Sequence, residues 1–187
     1  MIRLAIFREK VSKGFTLIEL LIVIAVLGVL AAVILVAIDP VEQLARGRDA
    51  GRKSAVTSVG RAMQAYYTNN SLYPTTAQWT ASNETNVLVL SGDIKIIPTQ
   101  TTNPIPLTVC TGGSLVSNFC YKVNAAIGAE NMVVYTRVES RSEREKGPCT
   151  VTAGDAWLVY ASIDGRAGIV CLPAGTEPNA TTSYTYY

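Results

Sequence analysis

The stretch FTLIELLIVIAVLGVLAAVILVAI, residues 15–38, decides the architecture of this chain, because it is apolar almost throughout. Only Thr16 and Glu19 interrupt it with polar side chains, and both lie close to its start. As a helix it spans about 36 Å, which exceeds the roughly 30 Å hydrocarbon core of a bilayer. The sequence therefore predicts a single membrane-spanning helix at residues 15–38.

The charged residues before this stretch are mainly basic, and the positive-inside rule then keeps its N-terminal end in the cytoplasm. The charged residues concerned are Arg3, Arg8, Lys10 and Lys13, with Glu9 as the single acid. The net charge of the whole chain is only +2, which is too small an excess to favour nucleic-acid binding. We expect the chain beyond residue 40 to lie outside the cytoplasm, with no nucleic-acid partner.

A helix break is predicted at Asp39-Pro40, since Asp39 suits an N-cap and Pro40 suits the first position of a new helix. The second helix should reach about Asn70. Its apolar stripe, which we expect to pack on a sheet, consists of Ala55, Val59, Ala62, Met63 and Tyr66. The charged side chains near its start, expected to be exposed, are Arg46, Arg48, Asp49, Arg52 and Lys53. Its three glycines, Gly47, Gly51 and Gly60, each weaken a helix by up to about 1 kcal/mol.

The distal part of the chain is rich in β-type runs separated by turn residues. Predicted strands cover residues 87–90, 119–124, 132–139, 156–163 and 166–172. The last two flank Asp164-Gly165, a strong hairpin signal. Residues 139–146 are expected to form a solvated loop of mixed charge, and residues 173–187 an irregular tail.

The four cysteines all lie in this distal part, and no pair has a C-x-x-C spacing. An even number of cysteines beyond a membrane-inserted segment favours disulfides in an oxidising compartment. Of the three possible connectivities we favour Cys110–Cys120 and Cys149–Cys171, because each closes a short loop; four buried free thiols are the alternative. The chain has no histidine, and we expect no cofactor, no metal site and no catalytic residue.

The segment KGFTLIEL, residues 13–20, carries the most specific signal of the chain. A basic residue and a glycine stand directly before an apolar helix that contains Glu19, and an acid inside a membrane helix is costly and usually functional. This segment resembles the class III signal of type IV prepilins and of the pseudopilins of type II secretion. The resemblance implies cleavage between Gly14 and Phe15 by a prepilin peptidase, methylation of the new Phe15 amine, and a role for Glu19 in assembly.

The resemblance also implies an α+β, type IV pilin-like fold, in which a long N-terminal helix packs on an antiparallel sheet. The expected divisions are a leader (1–14), a transmembrane or filament-core helix (15–38), the amphipathic second half of the helix (39–72) and a β-rich globular head (73–187). Further partners implied are identical or related pilin subunits and an inner-membrane assembly platform.

The function expected from this combination is that of a structural subunit of a type IV pilus or pseudopilus, held in the inner membrane before assembly. Such filaments serve motility, adhesion, DNA uptake or secretion. The alternatives are a minor or tip subunit that acts mainly as a binding protein, and a simple signal-anchored exported protein. A membrane-tethered enzyme is disfavoured because the chain lacks histidine and has no nucleophile motif.

Overall fold

The structure is a computed structural model that describes residues 14–80, 82–99, 110–124, 129–152 and 154–187. The chain divides into two compact units, Met1–Pro40 and Val41–Tyr187. Of the predicted leader, residues 1–13 lie outside the described residues. The α+β class predicted from the sequence is confirmed by the helices and the five-stranded antiparallel sheet.

The first unit contains helix α1, Leu17–Ala37, which is the apolar stretch identified in the sequence. Thr16 is its N-cap, and the helix ends where the N–H of Ile38 donates to the carbonyl of Ile34, 3.0 Å away. By length and composition α1 is able to cross a membrane. Helix α2 begins at Pro40, so the predicted break is present.

The second unit contains most of α2, Pro40–Asn70, three short helices and the sheet. The short helices are α3 (Val87–Leu90), α4 (Arg141–Arg144) and α5 (Pro148–Thr152). The strands are β1 (Ser114–Val116), β2 (Phe119–Val123), β3 (Met132–Arg137), β4 (Asp155–Ala161) and β5 (Arg166–Leu172). Each strand pairs antiparallel with the next along the chain, in the order β1-β2-β3-β4-β5.

One predicted strand, residues 87–90, is wrong, because this segment is the helical turn α3. Asn86 accounts for the difference: its side-chain oxygen accepts the N–H of Leu88 at 3.1 Å, and its carbonyl accepts the N–H of Leu90 at 3.1 Å. A local cap of this kind overrides the β preference of valine and leucine in a run of four residues. Strand β1 and helices α4 and α5 were not predicted.

One face of the sheet packs against the C-terminal half of α2. The apolar stripe of that helix is buried in a core that also takes side chains from β2, β3 and β4. The buried members from the helix are Val56, Val59, Ala62 and Met63, and those from the sheet include Phe119, Tyr121, Val134 and Tyr160. The predicted packing of the stripe on a sheet is therefore confirmed.

Gly60 lies at the closest approach of α2 to the sheet. A Cβ atom at this position would be 2.3 Å from Cγ of Tyr160, well inside van der Waals contact. Gly47 and Gly51, by contrast, have no atom within 4 Å of an added Cβ. Of the three glycines of α2, packing therefore requires only Gly60.

The opposite face of the sheet is covered by the C-terminal tail, residues 173–187. Trp157, Val159 and Val170 form a second core cluster with Ala180, and Tyr184 and Tyr186 pack against it. The tail has little regular structure, as predicted, apart from an isolated bridge between Val170 and Tyr186. Because both faces are covered, β4 is apolar along nearly its whole length.

Two disulfides are present, Cys110–Cys120 and Cys149–Cys171, with Cα–Cα distances of 5.6 Å and 5.3 Å. They are the pairs that the short loops favour, and no cysteine remains free. The first joins Cys120 in β2 to Cys110, which lies just before β1. The second joins α5 to β5.

Candidate functional site

Every residue of α1 is exposed, although the helix is apolar apart from Glu19. The exposed fractions of its large side chains range from 48% at Val23 to 89% at Val36. A continuous apolar surface of this size is not stable in water and must be covered by lipid or by other helices. The α1 surface is therefore the first part of the candidate site.

The polar groups at the start of α1 form a reciprocal capping box between Thr16 and Glu19. The Glu19 carboxylate accepts the N–H of Thr16 at 3.0 Å and its hydroxyl at 2.7 Å. In return the Thr16 hydroxyl oxygen accepts the N–H of Glu19 at 3.3 Å. The arrangement satisfies N–H groups that a helix start leaves unpaired, and it fixes the carboxylate beside the first turn.

Gly14 and Phe15, the residues on either side of the predicted cleavage point, precede the first helical turn. Both are exposed, and no atom lies within 4 Å of a Cβ added at Gly14. The peptide bond between them is thus outside the helical hydrogen-bond ladder and open to a protein that approaches it. Lys13, the basic member of the motif, lies outside the described residues.

In the second unit, two carboxylates of α2 accept hydrogen bonds from four successive backbone N–H groups. Asp49 accepts the N–H groups of Glu139 and Ser140 at 2.9 and 2.7 Å. Glu42, two helical turns earlier on the same side of α2, accepts those of Arg141 and Ser142 at 2.9 Å each. We call this arrangement the latch: the Glu42 and Asp49 carboxylates together with the backbone of residues 139–142.

Arginines surround the latch. Arg52 donates to Asp49 and to Glu139, in both cases at 2.7 Å, and Arg48 donates to Glu139 as well. Hydrogen bonds from Arg48, opposed by burial and assisted by Arg52, hold the pKa of Glu139 below its usual range. The hydroxyl and N–H of Ser142 are the main groups that lower the pKa of Glu42 to about 2. These two carboxylates are therefore ionised at neutral pH.

The latch corrects two predictions made from the sequence. Asp49 and Arg52 are buried rather than exposed, and Glu139 and Ser140 are buried rather than part of a solvated loop. The reason is mutual compensation: Arg52 pairs with Asp49 in the same helix turn and with Glu139, 87 residues away, and the Asp49 carboxylate also accepts the distant N–H groups of residues 139 and 140. A local charge pattern contains no signal for such a pairing; Arg46 and Lys53 are exposed, as predicted.

A second polar cluster ties the tail to the sheet at Glu177. Its Oε2 atom accepts the Lys122 ammonium at 2.8 Å, the Tyr135 hydroxyl at 2.9 Å and the N–H of Thr111 at 2.9 Å. Burial raises the pKa of Glu177, but these three donors outweigh burial and leave it below its ordinary value. One carboxylate thus connects the tail with β2, β3 and the residue next to Cys110.

Glu177→Ala is expected to lower the free energy of unfolding by about 2 kcal/mol, because it leaves a half-buried ammonium and a hydroxyl without their acceptor. Trp79 and Trp157 are both buried, so tryptophan fluorescence during guanidinium denaturation in detergent micelles measures the loss. Glu84→Ala, at an exposed acid, is the control and should stay within about 0.5 kcal/mol. Equal midpoints for the two variants would show that Glu177 does not stabilise the tail.

The similarity of this chain to known proteins includes a family motif in its N-terminal segment. The family model described as the prokaryotic N-terminal methylation motif matches residues 10–35. A fimbrial protein of Neisseria meningitidis serogroup A is 40% identical over 92 residues, which are 46% of this chain and 46% of the relative. A type IV major pilin protein of Neisseria gonorrhoeae is 39% identical over 92 residues, 46% of this chain and 37% of the relative.

Another type IV major pilin protein of Neisseria gonorrhoeae is 45% identical over 71 residues, 35% of this chain and 38% of the relative. The chain thus spans less than half the length of these curated relatives. No solved structure matched it.

The fold and the site define a class: a protein with an exposed apolar N-terminal helix, capped by a carboxylate, and a disulfide-linked α+β unit. Within that class, the methylation motif and the similarity to pilins over less than half of the chain support a type IV prepilin-family protein. The apolar helix and this similarity fit membrane anchoring and a surface filament.

Proposed function

We propose that the chain is a structural subunit of a type IV pilus or a related pseudopilus, with a mechanical rather than a catalytic role. The proposal rests on α1, which is apolar and exposed along its whole length and which begins at the Thr16–Glu19 capping box. Lipid covers such a helix before assembly, and the equivalent helices of neighbouring subunits cover it afterwards. The relatives named as major pilins favour the main subunit over a minor one.

In the proposed pathway, the subunit is first held in the inner membrane with its β-rich head outside the cytoplasm. A prepilin peptidase cuts between Gly14 and Phe15, and the new Phe15 amine is methylated. The assembly platform then moves the subunit from lipid into the filament. There the Phe15 amine of one subunit lies close to the Glu19 carboxylate of another, so that two charges otherwise costly in an apolar environment neutralise each other.

The intact mass of the protein recovered from sheared surface filaments tests this function. The expected chain starts at Phe15, carries one methyl group and lacks four cysteine protons, since both disulfides are closed. The same measurement on the membrane fraction is the control and should also detect the unprocessed chain. A chain that starts at Met1 and occurs only in membranes would overturn the proposal and favour a simple signal anchor.

A further inference from the structure

The N-terminal half of α2 differs from the C-terminal half in what attaches it to the rest of its unit. Among the described residues, the apolar core clusters take members of α2 from Ala55 onward and none from residues 41–53. The two large aliphatic side chains of residues 41–53, Val41 and Leu44, are 69% and 63% exposed. The main polar attachments in this half are the latch and the arginine contacts around it, and Ala45 adds one small buried apolar side chain.

The same half of α2 contains two glycines that no packing contact demands. Gly47 and Gly51 are exposed, with open space where a side chain would be, unlike Gly60. Each makes the helix less stable than alanine would at the same position. Residues 41–53 are therefore a weak helix in their own right, and their order depends on the latch.

A cleft of about 310 Å³ opens beside the latch, between α2 and the sheet. Arg46 and Lys53 line it from α2, and Leu158 and Ile169 line it from β4 and β5. Asp49 also lines this cleft, so water in it lies next to one carboxylate of the latch, although Asp49 itself is only 5% exposed. Glu42, the other carboxylate of the latch, is half-buried, and polar contacts near the surface break more readily than apolar contacts inside a core.

We propose that residues 41–53 form a detachable segment, which leaves the sheet as one cooperative unit when the latch opens, while residues 55–67 stay packed. The segment is about 20 Å long as a helix and about 40 Å long if extended. Release followed by unwinding therefore lengthens the connection between α1 and the core-packed half of α2 by up to about 20 Å. The segment is a built-in extensible link, and it does not depend on whether the chain forms filaments.

Hydrogen–deuterium exchange followed by mass spectrometry tests the proposal on the full chain in detergent micelles, before any assembly. In the unaltered protein, peptides from residues 41–53 should exchange at least tenfold faster than peptides from residues 55–67. In a Glu42→Ala/Asp49→Ala variant the exchange of residues 41–53 should rise a further tenfold or more. Exchange in residues 55–67 and in β3 and β4 should not change.

A Gly47→Ala/Gly51→Ala variant provides the opposite change and keeps the latch intact. It should slow exchange in residues 41–53 about tenfold and leave the sheet unaffected. Glu84→Ala, remote from the latch, is the matched control and should exchange like the unaltered protein. Equal protection of residues 41–53 and 55–67, or a uniform rise across the whole second unit in the latch variant, would overturn the proposal.

Discussion

Replacing Glu19 by alanine is expected to lower the amount of sheared surface filament at least tenfold, while removal of residues 1–14 continues. Under the proposed function the Glu19 carboxylate neutralises the Phe15 amine of another subunit inside an apolar bundle. Without it, that amine is left as an uncompensated charge away from water, which costs several kcal/mol. Quantitative immunoblots of the sheared fraction, with intact masses of the membrane fraction, measure both effects.

Alanine at position 19 also removes the capping box with Thr16, which stabilises the start of α1 by about 1 kcal/mol. Glu19→Gln separates the two contributions, because the glutamine side-chain oxygen can still accept the N–H of Thr16 but carries no charge. Thr16→Ala is the reverse control, since it removes the reciprocal cap and keeps the carboxylate. Charge pairing requires that Glu19→Gln reduce filaments as strongly as Glu19→Ala, and that Thr16→Ala have the smaller effect.

Normal filament abundance in Glu19→Gln would show that the cap, and not the charge, is what assembly needs. Normal abundance in Glu19→Ala as well would contradict any role of Glu19 in assembly. A failure of leader removal in either variant would place the effect at the peptidase instead.

The second large effect is expected from Gly60→Ala, which should lower the free energy of unfolding by about 3 kcal/mol. The added Cβ would be 2.3 Å from Cγ of Tyr160 and 2.4 Å from Cδ1, so that either the ring or the helix must move. The ring atoms concerned are at the root of a side chain that is only 2% exposed, so the ring has little space into which it can move. Overpacking of a filled core costs about 1–3 kcal/mol and sometimes more.

The matched control is Gly51→Ala, a change of the same chemistry nine positions earlier on the exposed side of α2. It should leave stability unchanged or raise it by up to about 1 kcal/mol, since alanine is the better helix former. Guanidinium denaturation followed by fluorescence of the two buried tryptophans compares the variants. A Gly60→Ala midpoint equal to that of Gly51→Ala would show that α2 does not approach the sheet this closely.

A double-mutant cycle tests the stated contact even if Gly60→Ala folds poorly. Tyr160→Ala removes the ring, and in that background the added methyl group of Gly60→Ala has space. Its cost should then fall below about 1 kcal/mol, so that the two changes are strongly non-additive. Additive costs would place the origin of the destabilisation elsewhere.

The latch and the tail mark the limit of what local pattern can predict. The helical periodicity of α2 identified the buried Val59, Ala62 and Met63, because burial there follows from the apolar side chains themselves, and it missed Val56. Asp49 and Arg52 show no such signal, since their burial also requires the Glu139 carboxylate and the backbone N–H groups of residues 139 and 140. Glu177 likewise stood in a segment predicted to be irregular, yet it makes two contacts with the sheet and a third with the N–H of Thr111.

The sequence by itself determined the membrane-length apolar helix, the Asp39-Pro40 break, the antiparallel hairpin across Asp164-Gly165 and the prepilin-type signal at residues 13–20. All of these depend on interactions between residues close together in the chain, or on composition alone. Tertiary structure alone decided which face of the sheet α2 covers, that the tail covers the other, and which charges are buried. Those outcomes depend on pairings across tens of residues, whose free energies no local stretch contains.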